Sequence, residues 1–334
     1  MSVKAVLIGF GNVGKALLKE LIERGLGIEV AGAISSRGGV LIEDNEDLRA
    51  LYELAVSDLN LSKHPRFRHG FSIDELVGKV CPDLAYIVIP PSYRTGEPNR
   101  SIYYKLVGSG VSIITADKTV LALGYREFMD YATKRKVFVG YRATVAAGTP
   151  FTDAAEGLRG REVKYFRAMF NVTTNYIISL MEQGLTYEEA VKKAIEAKLA
   201  EPDPTVDTHG WDLAAKVAIM ASILTGENVT ISDIRREPLE KVPAGEVAEG
   251  PRKGYRIRYL GVADLERRRY YVGPEKLPLN SPLASLTGMF SGAEFIVEGE
   301  RMVIIGPAGP AWRTAKVMIT DTMEYLWWLR LYRS

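Results

Sequence analysis

The chain opens with a short apolar run, VKAVLI (3–8), that passes directly into GFGNVG (9–14) and then into KALLKELIERG (15–25), where apolar residues recur at helical spacing. No other feature narrows the possible folds as much. Gly9, Gly11 and Gly14 stand in the G-x-G-x-x-G spacing. The first permits a tight turn, the second lets backbone approach a pyrophosphate, and the third brings helix and strand together. The helix start, with Asn12 and Val13 between the last two glycines, then faces the anion with free amides. A lone match of this kind is weak, but here a strand precedes it and a helix follows, which is the context the motif requires.

The next segments repeat the alternation. IEVAGAI (28–34), DLAYIVIPP (83–91), GVSIITA (110–116) and KVFVGY (136–141) are short apolar runs of the kind that form buried strands. Between them lie the helical pattern EDNEDLRALYELAV (43–56), a Ser72/Glu75 capping box and a helix over 98–109. Strands alternating with helices predict right-handed βαβ units and a mainly parallel sheet, a Rossmann-type nucleotide-binding domain. Pro90, which helps stop the third strand, lies at the carboxyl edge where such sheets bind ligands, so it counts among the cofactor-side residues. So does Lys118, which follows the fourth strand.

An NAD-selective site carries an acid at the end of the second strand to hold the ribose 2′-hydroxyl. This chain has Ser35, Ser36 and Arg37 there. An acid repels a 2′-phosphate, whereas a guanidinium pairs with it and serines donate hydrogen bonds. NADP(H) is therefore favoured, with NAD(H) possible.

After about residue 145 the pattern changes to α+β. EVKYFRAMFNV alternates like a strand, and a helix follows over TTNYIISLMEQG. A Thr186/Glu189 box opens another helix, and LAEPDPTVDTHGWDLAAK leads into one that runs to about residue 224. GYRIRYLGV puts Tyr255, Ile257 and Tyr259 on one face and Arg256 and Arg258 on the other. EFIVEGERMVIIG reads as a hairpin turning at Glu298–Glu300. The expected organisation is a dinucleotide-binding domain over 1–142, completed by a C-terminal helix within 307–334, and an α+β substrate-binding and dimerisation domain over 143–306.

Composition closes off other classes. A formal net charge of +2 advertises no nucleic acid or anionic membrane partner. No stretch reaches the roughly 18 apolar residues of a membrane span, and no secretory leader is recognisable, so a cytoplasmic protein is expected. Cys81 is the only cysteine, which excludes an intrachain disulfide or a thiolate metal site. His64, His69 and His209 lack metal-ligand spacing. The single glutamine, Gln183, together with the single cysteine, fits a thermophilic source.

Six stretches in order, GFGNVG, TGEPNRSIYYKLVGSGVSIITADKTVLA, ATVAAGTP, NVTTNYI, LAEPDPTVDTHGWDLAAKVAI and GPAGPAWRTA, together resemble homoserine dehydrogenase along nearly the whole chain. The resemblance implies interconversion of L-homoserine and L-aspartate 4-semialdehyde with NAD(P), in threonine and methionine biosynthesis. A polar amino acid with a terminal alcohol needs an anionic grip on its ammonium, donors for its carboxylate and a base at its hydroxyl. Asp212 and Lys216 are four apart and share a helix face.

By resemblance, Glu201 and Asp212 address the substrate ammonium and Lys216 the reacting oxygen, while Lys118 matches the family's other active-site lysine. Either lysine is able to take the proton if its pKa falls from roughly 10.4. Lys216 is favoured for that role, with Lys118 orienting substrate. Asp203 and Asp207 read as turn and N-cap residues, and Asp207 also counts as a substrate-side residue. Thr173 reads as a cap whose helix amides receive the substrate carboxylate. Gly309, in GPAG, closes over the nicotinamide side by resemblance, and Glu97 helps shape its pocket.

The family's monovalent-cation loop has an acid where this chain has Arg142. The remaining backbone ligands correspond to Val145, Ala147 and Thr149, so sodium is expected to be absent or weakly held. Leu199 and Val172 replace the family's usual tyrosine and glycine. The chain ends shortly after GPAGP, which leaves no room for a C-terminal regulatory module of the ACT type. A homodimer formed through the α+β half is the implied assembly. The competing readings are a catalytically silent NADP-binding regulator and a dehydrogenase for another small polar amino or hydroxy acid. A relative that acts on aspartyl phosphate needs a cysteine nucleophile with a histidine, which Cys81 is poorly placed to provide.

Overall fold

The computed structural model describes residues 2–332 and is mixed α/β. It divides into two compact units. One gathers the chain up to Val120, Glu127–Ala147 and the segment from Gly309 onward; the other holds Leu121–Arg126 and Gly148–Ala308. These divisions fall a few residues beyond the expected boundaries at 142 and 306, and they assign a short piece of the helix Thr119–Lys134 to the second unit.

The first unit is built on a seven-stranded sheet: β1 (Val3–Ile8), β2 (Ile28–Ser35), β3 (Gly38–Leu41), β4 (Arg68–His69), β5 (Leu84–Ile87), β6 (Ser112–Thr115) and β7 (Val139–Gly140), in the order β4-β3-β2-β1-β5-β6-β7. The five runs read as strands from the sequence form the parallel part of this sheet. The antiparallel extension β3–β4 was not foreseen, because GGVL is too short and glycine-rich to show alternation. Gly38 explains the composition. It sits at φ +141°, and a Cβ there would stand 2.1 Å from the Arg68 carbonyl.

β7 is shorter than expected. A Cβ on Gly140 would meet Asp321 at 2.6 Å, so the C-terminal helix Ala311–Tyr332 presses directly on that strand. Ala315, Met318 and Ile319 of this helix join Leu17, Leu18 and Leu21 of the helix Asn12–Arg24 in one core. The Ser72/Glu75 box opens the helix Ile73–Val80 as read from the sequence.

The second unit carries β8 (Val163–Met169), β9 (Ile234–Arg236), β10 (Tyr255–Asp264), β11 (Arg269–Pro278), β12 (Phe290–Val297) and β13 (Glu300–Pro307), ordered β13-β12-β8-β10-β11-β9. Glu298 and Gly299, both at positive φ, make the two-residue turn of the β12–β13 hairpin. The Thr186/Glu189 box caps Tyr187–Glu196. The helices Val172–Met181 and Trp211–Thr225 lie against β10. Helix Trp211–Thr225 is apolar nearly all round and buried, as such a pattern requires. Its close approach depends on Gly261, where a Cβ would stand 2.2 Å from the Val217 side chain.

The arginine face of β10 is not solvated. Arg258 is fully buried and shares Glu182 with Arg256, at 2.8 and 3.0 Å respectively.

Candidate active site

The first unit presents a phosphate-binding turn whose three glycines differ in what surrounds them. Gly9 is at φ +109°, and a Cβ there would lie 2.5 Å from the Val88 carbonyl. A Cβ on Gly14 would lie 2.4 Å from the Gly9 carbonyl. At Gly11 a Cβ would meet nothing within 4 Å, and the residue is exposed. Two glycines thus serve the turn and the helix contact, while the middle one faces open space. The helix Asn12–Arg24 starts there with no side-chain cap, leaving its first amides for an anion. These features fit the pyrophosphate of a nicotinamide dinucleotide.

Ser36 and Arg37 form the exposed two-residue turn between β2 and β3. The Ser35 hydroxyl donates to the Gly38 carbonyl at 3.0 Å, which holds that turn closed. No acid occupies these turn positions.

Lys118 follows β6 and stands, half-buried, at the N-cap position of Thr119–Lys134. Its neighbour Asp117 is buried, and no motif or spacing around it had marked it out. Asp117 accepts from Thr119 N at 3.0 Å, the Thr119 hydroxyl at 2.7 Å and Asn99 Nδ2 at 3.0 Å. Asn99 Nδ2 also donates to the Pro90 carbonyl at 2.9 Å, so the loops after β5 and β6 are tied together beneath Lys118. Burial pushes the Asp117 carboxyl above its ordinary range. The Glu97 carboxylate accepts from Ser101 N at 3.2 Å in the first turn of the next helix, a capping contact. Gly309 is required by contact: a Cβ there would stand 2.2 Å from the Ala147 carbonyl.

Arg142 Nη1 donates to Asp321 Oδ1 at 2.7 Å, its backbone N donates to Asp321 Oδ2 at 3.1 Å, and its guanidinium also meets Glu324. Val145 is buried, and the Thr149 hydroxyl donates to the Pro307 carbonyl at 3.1 Å. Among the described residues, no three His, Cys, Asp or Glu side chains gather as a group able to hold a metal.

The second unit holds a tight polar cluster. Lys216 is 7% exposed, and its Nζ lies 2.6 Å from Asp212 Oδ2 and 2.6 Å from the Phe170 carbonyl. Asn171 Nδ2 donates to Asp212 Oδ2 at 3.0 Å and to Asp207 Oδ1 at 2.6 Å. Burial first, and then the charge of Asp212, push the Asp207 carboxyl up. Glu201 is exposed and lies outside this bonded cluster.

Two capping assignments need correction. Asp207 does not cap the long helix; it lies within the short turn Thr205–Thr208, and Gly210 at φ 76° precedes Trp211–Thr225. A Cβ at Gly210 would strike the Tyr259 hydroxyl and Val272, each at 2.7 Å, so tertiary contact selects glycine there. Thr173 is not a cap either. Asn171 caps Val172–Met181 by accepting from Thr174 N, while the Thr173 hydroxyl donates to the Leu199 carbonyl at 2.7 Å. Asp203 does form the expected turn, accepting from Thr205 N at 3.1 Å.

A sequence model of the homoserine dehydrogenase family matches residues 151–323. The homoserine dehydrogenase of Sulfurisphaera tokodaii is 33% identical over 313 residues, covering 92% of this chain and 94% of its own length. An NAD(+)-dependent homoserine dehydrogenase of Pseudomonas canavaninivorans is 27% identical, covering 96% of this chain and 95% of its own. Among solved structures, a hyperthermophilic archaeal homoserine dehydrogenase in complex with NADPH matches with a TM-score of 0.83 at 26% identity, over 98% of both chains.

Proposed function

The chain belongs to the homoserine dehydrogenase family, and from that premise we propose that it interconverts L-homoserine and L-aspartate 4-semialdehyde with NADP(H) in preference to NAD(H). The observation that carries the chemistry is the pairing of buried Lys216 with half-buried Asp212, held at 2.6 Å with Phe170 and Asn171 around it. A bound nicotinamide would supply the hydride acceptor for the hydroxyl-bearing carbon of homoserine. Lys216 handles the accompanying proton. Two of its three N–H directions point at Asp212 and the Phe170 carbonyl, which leaves the third for the reacting oxygen. In reduction the ammonium donates that proton to the aldehyde oxygen; in oxidation the neutral amine takes it from the alcohol.

Asp212 and Glu201 hold the substrate ammonium on this reading, and the first amides of Val172–Met181, beside Thr173, receive its carboxylate. Lys118 is the residue assigned to orienting substrate on the same reading. The test is the nicotinamide absorbance band on mixing protein, NADP and homoserine, and then NADPH and semialdehyde. A rise in the first direction and a fall in the second are expected; nucleotide binding with no change in either would sink the activity.

The nucleotide preference rests on Arg37 in an exposed turn that has no acid. Arg37→Ala is expected to weaken NADP binding about 10- to 100-fold, the equivalent of about 1.5–3 kcal/mol of charge-assisted hydrogen bonding. NAD binding should stay nearly constant. Equal losses for both nucleotides would remove the 2′-phosphate from Arg37.

The homodimer is assigned to the six-stranded sheet. Ala168 stands opposite Gly261, and Ala293 opposite Ala168, on the face that helix Trp211–Thr225 covers. The opposite face carries Arg167 paired with Glu294 at 3.0 Å, together with Phe290 at 51% and Ile305 at 44% exposure. Exposed apolar side chains beside a nearly buried ion pair suit a second copy of the chain. Sedimentation should give twice the 37.0 kDa chain mass, and a monomer at assay concentration would refute it. The exposed free thiol Cys81 agrees with a reducing, cytoplasmic setting.

A further inference from the structure

Asn171 has two separable contacts. Through Oδ1 it accepts from Thr174 N at 2.9 Å and caps the helix Val172–Met181. Through Nδ2 it donates to Asp207 at 2.6 Å and to Asp212 at 3.0 Å. The residue is 6% exposed, so both amide hydrogens are directed inside the protein. The first contact is an ordinary cap. The second is not needed for capping at all.

Two carboxylates that share a site repel each other and tend to retain one proton between them. Each hydrogen bond that a carboxylate accepts favours its ionised form. An amide NH2 is neutral and offers the two donors that a side-by-side pair requires. The oxygen of Asp212 that takes the amide hydrogen is also the one 2.6 Å from Lys216 Nζ. Asp212 and Lys216 both act on Asp207 through their charge. The Thr173 hydroxyl also bears on Asp207, and the Phe170 carbonyl on Lys216.

We propose that Asn171 is a positioning residue of the reaction: its amide bridges Asp207 and Asp212, keeps both ionised, and so fixes Asp212 as the counter-ion of Lys216. This rests on the reading that Lys216 transfers the proton. Burial and the charge of Asp212 both oppose ionisation of Asp207, so the pair is poised to trap a proton once the bridge is lost.

Asn171→Ser separates the two roles, because serine ranks with asparagine as a helix cap but lacks the two-donor amide. The measurement is kcat/KM for homoserine against pH, with thermal melting as the check on folding. N171S should melt close to the parent protein while the acid limb of its profile moves up by about one pH unit, a loss of about tenfold on that limb. Asn171→Asp also caps and adds a third carboxylate, so its limb should move further in the same direction. A folded N171S with the parental acid limb overturns the bridge and leaves Asn171 a cap alone.

Should N171S fail to fold, the acid limb of N171D decides between the same two outcomes. Should both fail, Asp207→Asn reports from the other end of the bridge, by moving the limb down; an unmoved limb there overturns the proposal. Lys216→Ala keeps the two ideas apart. If that variant retains turnover, the proton-transfer role of Lys216 fails whatever the limb does. If it loses turnover while the N171S limb stays put, only the bridge fails.

Discussion

Lys216→Ala is expected to lower kcat by about 10²–10⁴-fold in both reaction directions, the range for a positioned group that transfers a proton in the transition state. The expectation follows from where the lysine sits. Its helix is buried along nearly its whole length, and the ammonium is held between a carboxylate and a backbone carbonyl at 2.6 Å each. An alanine leaves no group in that place able to exchange a proton with the substrate oxygen. Asp212 keeps its hydrogen bond from Asn171, so the carboxylate is not stranded and the helix has reason to stay folded. Nucleotide binding should also survive, because the glycine turn and Arg37 belong to the other unit. Single-turnover rates, NADP titration and melting curves measured on one preparation separate these effects. If K216A turns over almost normally while Lys118→Ala does not, the proton-transfer role moves to Lys118.

How much of this was legible in the sequence differed with the range of the interactions involved. Gly9, Gly11 and Gly14 could be read because their spacing is dictated by contacts within one turn, and at Gly9 and Gly14 backbone does press where a Cβ would stand. Asp212 and Lys216 were legible for the same reason, since positions four apart meet on any helix. The Ser72 and Thr186 capping boxes likewise depend on residues three apart.

The misreadings came where several residues compete for one local role. NVTTN offers four side chains able to cap a helix, and DTHGWD offers several more. In the first, Asn171 wins by also reaching Asp207 and Asp212, which lie 36 and 41 residues away. In the second, Gly210 is selected by Tyr259 and Val272, neither of which a local window contains. The β3–β4 extension was missed because its decisive contact joins Gly38 to the backbone of Arg68. Local pattern therefore reaches contacts made within a turn or two, such as Asp212 with Lys216, whereas the network around them depends on long-range contacts.

Arg142→Met should destabilise the nucleotide-binding unit by about 3–5 kcal/mol at alkaline pH, the cost of removing one partner from a buried ion pair. Asp321 has a fully buried side chain, pressed against Gly140 and bonded to both the guanidinium and the backbone N of Arg142. Burial pushes its carboxyl up to about 7 against an ordinary 3.8, although Arg142 pulls in the other direction. The folded protein therefore binds more protons at this site than the unfolded chain between about pH 4 and pH 7. Its contribution is most favourable below the unfolded value and is lost as pH rises through the folded one. Without the guanidinium the carboxyl must climb higher still, so in R142M the decline continues above pH 7. The two proteins should melt most nearly together at about pH 5, where Asp321 is protonated in both, and diverge steadily toward pH 8.5. Pairing R142M with Asp321→Leu removes the stranded charge and should recover much of the loss at high pH. A melting gap that stays constant with pH, or narrows as pH rises, would mean that the Arg142–Asp321 pair does not secure the C-terminal helix through charge.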